Sequence, residues 1–309
     1  MRRKPNARDP TKSSPLFVLA PARSFSSVIS MMIGQHPDLV GLPELKLFSY
    51  KTIGELEASL PRFWTERGVT HRSPGLVRAL AEFEFGDQSL GSLGRARAWL
   101  RERLHWSGCD VLDVLLERLS PRACVEKSPE NVETDAALDR LATAYPNARY
   151  VHLTRHPLTA QRSIREHLSR TIPGHPQNGE PMYGIAAWFA THWRILQFAA
   201  TLPNDSYMRV KAEDVLNDMN PHLRAIAEWL GLRVDQSAIE SMTHPELSPF
   251  ASFGPADSGV RGGNDPSFLS NPRPHQVAVP NSLDEPGDWM ESSSAWQPVV
   301  DLANRLGYT

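Results

Sequence analysis

Residues Leu16 to Glu44 read LFVLAPARSFSSVISMMIGQHPDLVGLPE. The apolar run Leu16-Phe17-Val18-Leu19-Ala20 has the length and composition of a fully buried strand, and Pro21 stops it. Arg23-Ser24-Phe25-Ser26-Ser27 then forms a polar loop, and Val28, Met31 and Met32 follow at helical spacing until Gly34 and Pro37. Strand, hydroxyl-rich loop and helix together make a phosphate cradle. N–H groups at a helix N-terminus point at the anion, the helix dipole favours negative charge, and serine hydroxyls add donors. The Arg23 guanidinium contributes a planar fork suited to phosphate or sulfate oxygens. The same residues would also serve as an ordinary helix cap beside a surface charge. The loop has no GxxxxGK[ST] pattern, which disfavours an ordinary P-loop nucleotidase.

Working outward, three more strands are expected. Ala123-Cys124-Val125 runs into Glu126-Lys127-Ser128-Pro129, which puts Lys127 at a strand's carboxyl end. Tyr150–Leu153 leads into Thr154-Arg155-His156-Pro157 and a helix that carries Ser163. Tyr207–Val210 is the fourth strand. Helices are predicted over Asn131–Tyr145, Tyr183–Ala200, Pro221–Leu230 with Gly231 as its cap, and Trp296–Leu306. Strands alternating with helices through short links imply an α/β fold with a central parallel sheet flanked by helices. Lys46–Arg103 is mostly helical, and Leu112, Leu115, Leu116 and Leu119 form a stripe ended by Pro121. Residues 45–120 therefore read as a helical insertion on the substrate side. Residues 244–288 are rich in Pro, Gly, Ser and Asn and read as an irregular, lid-like segment.

Composition narrows the class. The 309 residues are 40% hydrophobic and 22% charged with a formal charge of −2, which gives no basic character for nucleic acid. No run approaches the roughly 18 apolar residues of a membrane span. The basic start MRRKPNARDPTKSSP has no apolar segment and is not a secretory signal. Residues 1–14 are expected to be a disordered leader and 15–309 a single domain. Cys109 and Cys124 make neither a disulfide framework nor a zinc site, and they point to a cytoplasmic setting. No residues have metal-ligand spacing, and nothing in the sequence sets an oligomeric state.

Arg23, Lys127 and Arg155 stand at the ends of three predicted strands, the edge where open α/β sheets gather ligands. With them the resemblance to a family emerges. Arg23-Ser24-Phe25-Ser26-Ser27, His36-Pro37 and Pro43-Glu44 resemble, in order, the 5′-phosphosulfate loop of sulfotransferases that use 3′-phosphoadenylyl sulfate (PAPS). Glu126-Lys127-Ser128-Pro129 resembles an element of tyrosylprotein sulfotransferases and of bacterial polyketide-pathway sulfotransferase domains. Leu153–Pro157 with Ser163 is similar to the family's 3′-phosphate pair, and Arg209–Asp214 to a later element. The resemblance covers roughly Leu16–Asp214. Phe25 departs from it, standing where glycine is usual, so the loop must avoid positive φ there or bear strain. Ala22 is a second departure.

The resemblance implies a three-layer P-loop-like fold and transfer of a sulfuryl group from PAPS to a hydroxyl of a small-molecule or carrier-bound acceptor. It implies Lys127 at the leaving phosphate, Glu44 as base, and Arg23 as a further catalytic cation. His71 and His105 are the alternative bases, while His36 and His156 are read as packing and loop-shaping residues. Donor contacts would come from Arg23, Ser24, Phe25, Ser26, Ser27, Arg155 and Ser163. Arg261-Gly262-Gly263 resembles an R-K-G element that closes over the 3′-phosphate, with glycine in place of lysine, so residues 252–274 are expected to order on the nucleotide. Two other readings stand beside this one: a nucleotide-dependent kinase of related fold, and a non-catalytic protein that binds PAPS or adenosine 3′,5′-bisphosphate.

Overall fold

The computed structural model describes residues 14–66, 70–171, 181–280, 282–283 and 293–308, so the expected leader lies, Ser14 apart, outside the described residues. At the centre is β1 (Leu16–Leu19), every residue of it buried. It shares a five-stranded sheet with β2 (Leu39–Gly41), β3 (Ala123–Glu126), β4 (Arg149–Thr154) and β5 (Tyr207–Lys211) in the order β2-β3-β1-β4-β5. All four pairings are parallel, with Leu16 opposite Val125 on one side and Arg149 on the other. A parallel sheet is covered on both faces, which is why β1 is apolar without alternation.

The helix α1 (Ser26–Gly34) connects β1 to β2. Between β2 and β3 the described residues form five helices: α2 (Ile53–Ala58), α3 (Arg62–Thr65), α4 (Pro74–Phe85), α5 (Leu90–Arg101) and α6 (Gly108–Leu119). Four of the five start at a hydroxyl cap, namely Thr52, Ser73, Ser89 and Ser107, each accepting from a first-turn N–H. The stripe on α6 is buried as expected. Next come α7 (Asp135–Ala144), then α8 (Pro157–Thr171) and α9 (Pro181–Ala199) between β4 and β5. After β5 follow α10 (Ala212–Asn217), α11 (Met219–Leu230) and α12 (Gln236–Met242), then the short α13 (Pro266–Ser270) and the C-terminal α14 (Ser293–Leu306). Gly231 caps α11 with φ 71°. A second, smaller core holds Trp188, Trp296 and Leu302 together, and Tyr308 beyond α14 donates to Glu213 Oε2 at 3.0 Å. No helix among the described residues is long and apolar enough to cross a membrane.

Besides α10 and α12, which the sequence did not announce, and α13, a helical turn inside the stretch read as irregular, two elements differ from the sequence expectation. The strand β2 was not expected: three residues between Pro37 and Pro43 carry too little pattern. It forms because α1 lies directly on it, and a Cβ at Gly34 would meet Gly41 Cα at 2.3 Å. That close approach fixes where Glu44 leaves the sheet. The helix expected over Asn131–Tyr145 splits into a 3-10 turn at Pro129–Val132 and α7, which Thr134 caps.

Residues 249–270 of the irregular segment form a strap held down at several points. The buried Arg78 on α4 donates from Nη1 to Ser252 O at 2.7 Å and Gly262 O at 2.6 Å, and from Nη2 to Pro249 O at 3.2 Å. Burial lowers the Arg78 guanidinium to about 10, which leaves it charged at neutral pH. Gly263, at φ 98°, lies against α4 so closely that a Cβ would meet Gly75 Cα at 2.6 Å. Arg78→Met would strand the Ser252 and Gly262 carbonyls, while Pro249 O keeps Gln88 Nε2 at 2.9 Å, so it is expected to cost about 2–3 kcal/mol in denaturant unfolding. Amide protection should be lost around residues 249–262. Wild-type protection there would show that Arg78 does not hold the strap.

Candidate active site

The carboxyl edge of the sheet gathers the Arg23–Ser27 loop after β1, Glu44 beyond β2, Lys127 after β3 and Arg155 after β4. The chain leaves β1 towards β3 and β2 on one side and returns to β4 on the other, the switch point where such sheets bind ligands.

Phe25 precedes α1 with φ 56° and ψ 16°, and Arg23 has φ 67°. The loop thus takes the left-handed conformation at two side-chain-bearing residues, at roughly 1–2 kcal/mol each. The Arg155 guanidinium offsets part of this, lying 3.9 Å from the Phe25 ring centroid and donating from Nη1 to Arg23 O at 2.5 Å. The helix start carries no side-chain cap and no first-turn acid. Ser26 and Ser27 are buried there, and Ser24 Oγ is a buried polar atom with no partner among the described residues. An uncapped N-terminus, an orphaned hydroxyl and adjacent cations suit an anion such as a phosphate group.

Lys127 is 1% exposed, and its Nζ donates to Ser27 Oγ at 2.9 Å and to Glu44 Oε1 at 2.5 Å. One ammonium therefore joins the anion loop to a carboxylate. Glu44 is fixed through its backbone: its N–H donates to Gly263 O at 2.7 Å and its carbonyl accepts from Ser73 Oγ at 3.0 Å. Glu126 grips the next residues. Its buried carboxylate accepts from Ser128 Oγ at 2.5 Å, Asn131 Nδ2 at 2.7 Å and Leu45 N at 3.4 Å. Ser128 Oγ in turn accepts from Lys46 N at 2.9 Å, where Lys46 has φ 59°.

Arg23 donates from Nε to Ser163 Oγ at 3.1 Å and from Nη2 to Ser267 Oγ at 3.3 Å, and it pairs with the Asp265 carboxylate through Nη1. The Asp265 N–H donates to Ser27 Oγ at 3.1 Å. Ser163 is thus joined to Arg23 directly, and Arg155 reaches the same group through the Arg23 carbonyl and the Phe25 ring. Arg155 Nε donates to Thr159 Oγ1 at 3.1 Å, and burial lowers its guanidinium to about 10.

Other predicted residues stand differently. His71 Nδ1 lies 3.2 Å from Glu57 Oε2, so its ring is engaged there, although Ser73 two residues on touches Glu44. His105 is exposed. Arg261 is exposed and its guanidinium lies 5.4 Å from the Phe253 ring centroid. Gly262, at φ 98°, donates its N–H to Phe253 O at 2.9 Å, and its carbonyl is one of the Arg78 acceptors. His36 holds Asp38 N and Arg233 O, and the His156 N–H donates to Glu213 Oε1.

Glu126, Ser73, Arg78, Asp265 and Ser267 have no site role readable from the sequence. For Asp265 the available signal was local: Asp before Pro266 marks a helix start, and Asp265 Oδ1 does cap Ser267 N at 2.8 Å. Its pairing with Arg23 spans 242 residues.

Burial pushes the Glu126 carboxyl from 4.5 up to about 7, against the donors that favour its charge. A carboxyl raised on folding favours the folded state below its unfolded value, and that advantage is lost as pH rises towards 7. Asn131 Oδ1 is buried without a partner among the described residues, so turning that amide lets a glutamine fit. Glu126→Gln is therefore expected to gain on wild type by about 3 kcal/mol in unfolding free energy between pH 4.5 and 7. A difference that does not vary with pH would contradict this.

Residues 15–236 match the model of the sulfotransferase family. No curated protein matches. Among solved structures, the sulfotransferase domain from the curacin biosynthetic pathway superposes with a TM-score of 0.74 at 19% identity, over 96% of this chain and 98% of that one. The sulfotransferase domain from the Synechococcus PCC 7002 olefin synthase gives 0.68 at 24% identity, over 100% of this chain and 99% of that one. These two share the fold along nearly the whole chain. The family match takes in all five strands, the Arg23–Ser27 loop, Glu44, Lys127 and Arg155, and on that ground the chain belongs to the sulfotransferase family.

Proposed function

We propose that this protein transfers a sulfuryl group from PAPS to a hydroxyl of a small-molecule or carrier-bound acceptor. The observation that supports this most is the Lys127 ammonium, in contact at once with Ser27 of the anion loop and with Glu44. The donor supplies an activated sulfuryl group whose departure leaves charge on a phosphate oxygen. Lys127 is the cation that stabilises that charge in a dry site. Glu44 takes the acceptor's proton. The negative charge Glu44 then loses is replaced, beside the same ammonium, by charge on the leaving phosphate. A non-catalytic nucleotide-binding protein has no need of that Glu44–Lys127 contact. A kinase would need a lysine within the loop, and the loop has none.

In this reading Ser24, Ser26, Ser27 and the Phe25 backbone hold the 5′ end of the donor, with Arg23 as a catalytic and binding cation. Arg155 and Ser163 take the 3′-phosphate. Arg261 and Gly262 belong to the strap that orders over the nucleotide. The acceptor assignment draws on the two structural neighbours, sulfotransferase domains of a biosynthetic pathway and of an olefin synthase.

Turnover with PAPS and a panel of phenols, alkyl alcohols, carrier-bound hydroxyacyl chains and sugars tests the reading directly. Glu44→Gln should lower kcat roughly 10²–10⁴-fold with adenosine 3′,5′-bisphosphate affinity kept. Near-wild-type turnover would pass the role to His71 or His105. Lys127→Ala should lower kcat far more than donor affinity, and the reverse would make it a ground-state clamp. Hydrogen exchange should show residues 252–274 gaining protection with the bisphosphate, and no gain there would reject the closing strap.

A further inference from the structure

Arg23 is where the strap and the anion loop meet. The strap is pinned before this point, by Arg78 at Gly262 O and by the Glu44 N–H at Gly263 O. It is pinned again after it, where Phe268 and Leu269 of α13 are buried. Between these points Asp265 is carried onto the loop. Its N–H donates to Ser27 Oγ, its carboxylate pairs with Arg23 Nη1, and Ser267 Oγ takes Arg23 Nη2. Both terminal nitrogens of the guanidinium thus face the strap, while Nε faces Ser163.

A carboxylate is the protein group that comes nearest to a phosphate or sulfate oxyanion in charge and in its fit to a guanidinium fork. The helix N-terminus beside it has no acid in its first turn, and the loop before it carries the Ser24 hydroxyl, which has no partner among the described residues. The charge complement to this cradle therefore comes from a distant segment. Asp265 has two jobs, one per oxygen: Oδ1 caps Ser267 N at 2.8 Å, and Oδ2 meets Arg23. Oδ2 can give up Arg23 while Oδ1 keeps the cap, so release does not require α13 to unfold.

We propose that Asp265 gates the donor site. In the free enzyme its carboxylate holds the place on Arg23 that a donor oxyanion takes, and donor binding exchanges one anion for the other. This rests on the reading of the Arg23 loop as the donor site. Two consequences follow. A ligand with several anionic groups, able to engage Arg155 and Ser163 as well, displaces Asp265 where a lone sulfate does not. After transfer, the returning carboxylate competes with the nucleotide product and hastens its release.

Asp265→Asn tests this in the full chain. Asparagine keeps the helix cap and removes the charge. Calorimetry should show adenosine 3′,5′-bisphosphate binding about tenfold tighter to the variant than to wild type. KM for PAPS should fall with it, and kcat should not rise, because product leaves more slowly. Weaker binding would show that Asp265 orients Arg23 in the loaded site, and equal binding would show no exchange of anions. Either overturns the proposal alone, provided wild type binds the bisphosphate and turns over PAPS. If wild type and variant both do neither, the donor reading falls and the gate with it.

Discussion

A lysine ammonium removed from water must be fully partnered, and Lys127 imposes that requirement on the whole site. At 1% exposure its bonds to Ser27 and Glu44 replace solvent. Meeting it obliges three strand ends to converge. The loop after β1 must present Ser27, β2 must end so that Glu44 turns inward, and β3 must stop at Lys127. The Gly34–Gly41 contact sets the second of these. Glu126 and Ser128 then hold Leu45 and Lys46, so the Glu-Lys-Ser sequence supplies the ammonium and also the brackets for its partner.

The strap answers a related constraint. Arg78 is buried in α4 and finds its acceptors on backbone carbonyls of residues 249, 252 and 262. Because those carbonyls have no regular ladder to join, arginine and strap satisfy each other. The same strap delivers Gly263 O to Glu44 and Asp265 to Arg23. Its irregular backbone thereby reaches both Glu44 and the Arg23–Ser27 loop, which a regular helix or strand could not do with so few residues.

Much of this was legible in the sequence wherever one segment carries its own signal. β1, β3 and β4 are short, largely apolar runs closed by proline or charge, as strands buried on both faces must be, while the edge strand β5 showed in Tyr207, Met208 and Val210 with Arg209 left exposed. Arg23, Lys127 and Arg155 stood out because each follows such a run. β2 was not legible, since three residues hold no period and its existence depends on a backbone contact with α1. Phe25 shows the other limit. The sequence flagged the missing glycine, but the compensation is a guanidinium from β4's far end stacked on the ring. Asp265 and Arg78 act across long separations, where no periodicity or spacing reports a contact.

The central claim is that Lys127 and Glu44 act as one unit between donor and acceptor. A double-mutant cycle on kcat, using Lys127→Ala, Glu44→Gln and the pair, tests it most directly. Residues that act as a unit give a double variant hardly slower than the worse single one, and that is the expected result. Losses that simply multiply would contradict it and would mean that the contact seen between the two side chains plays no part in turnover.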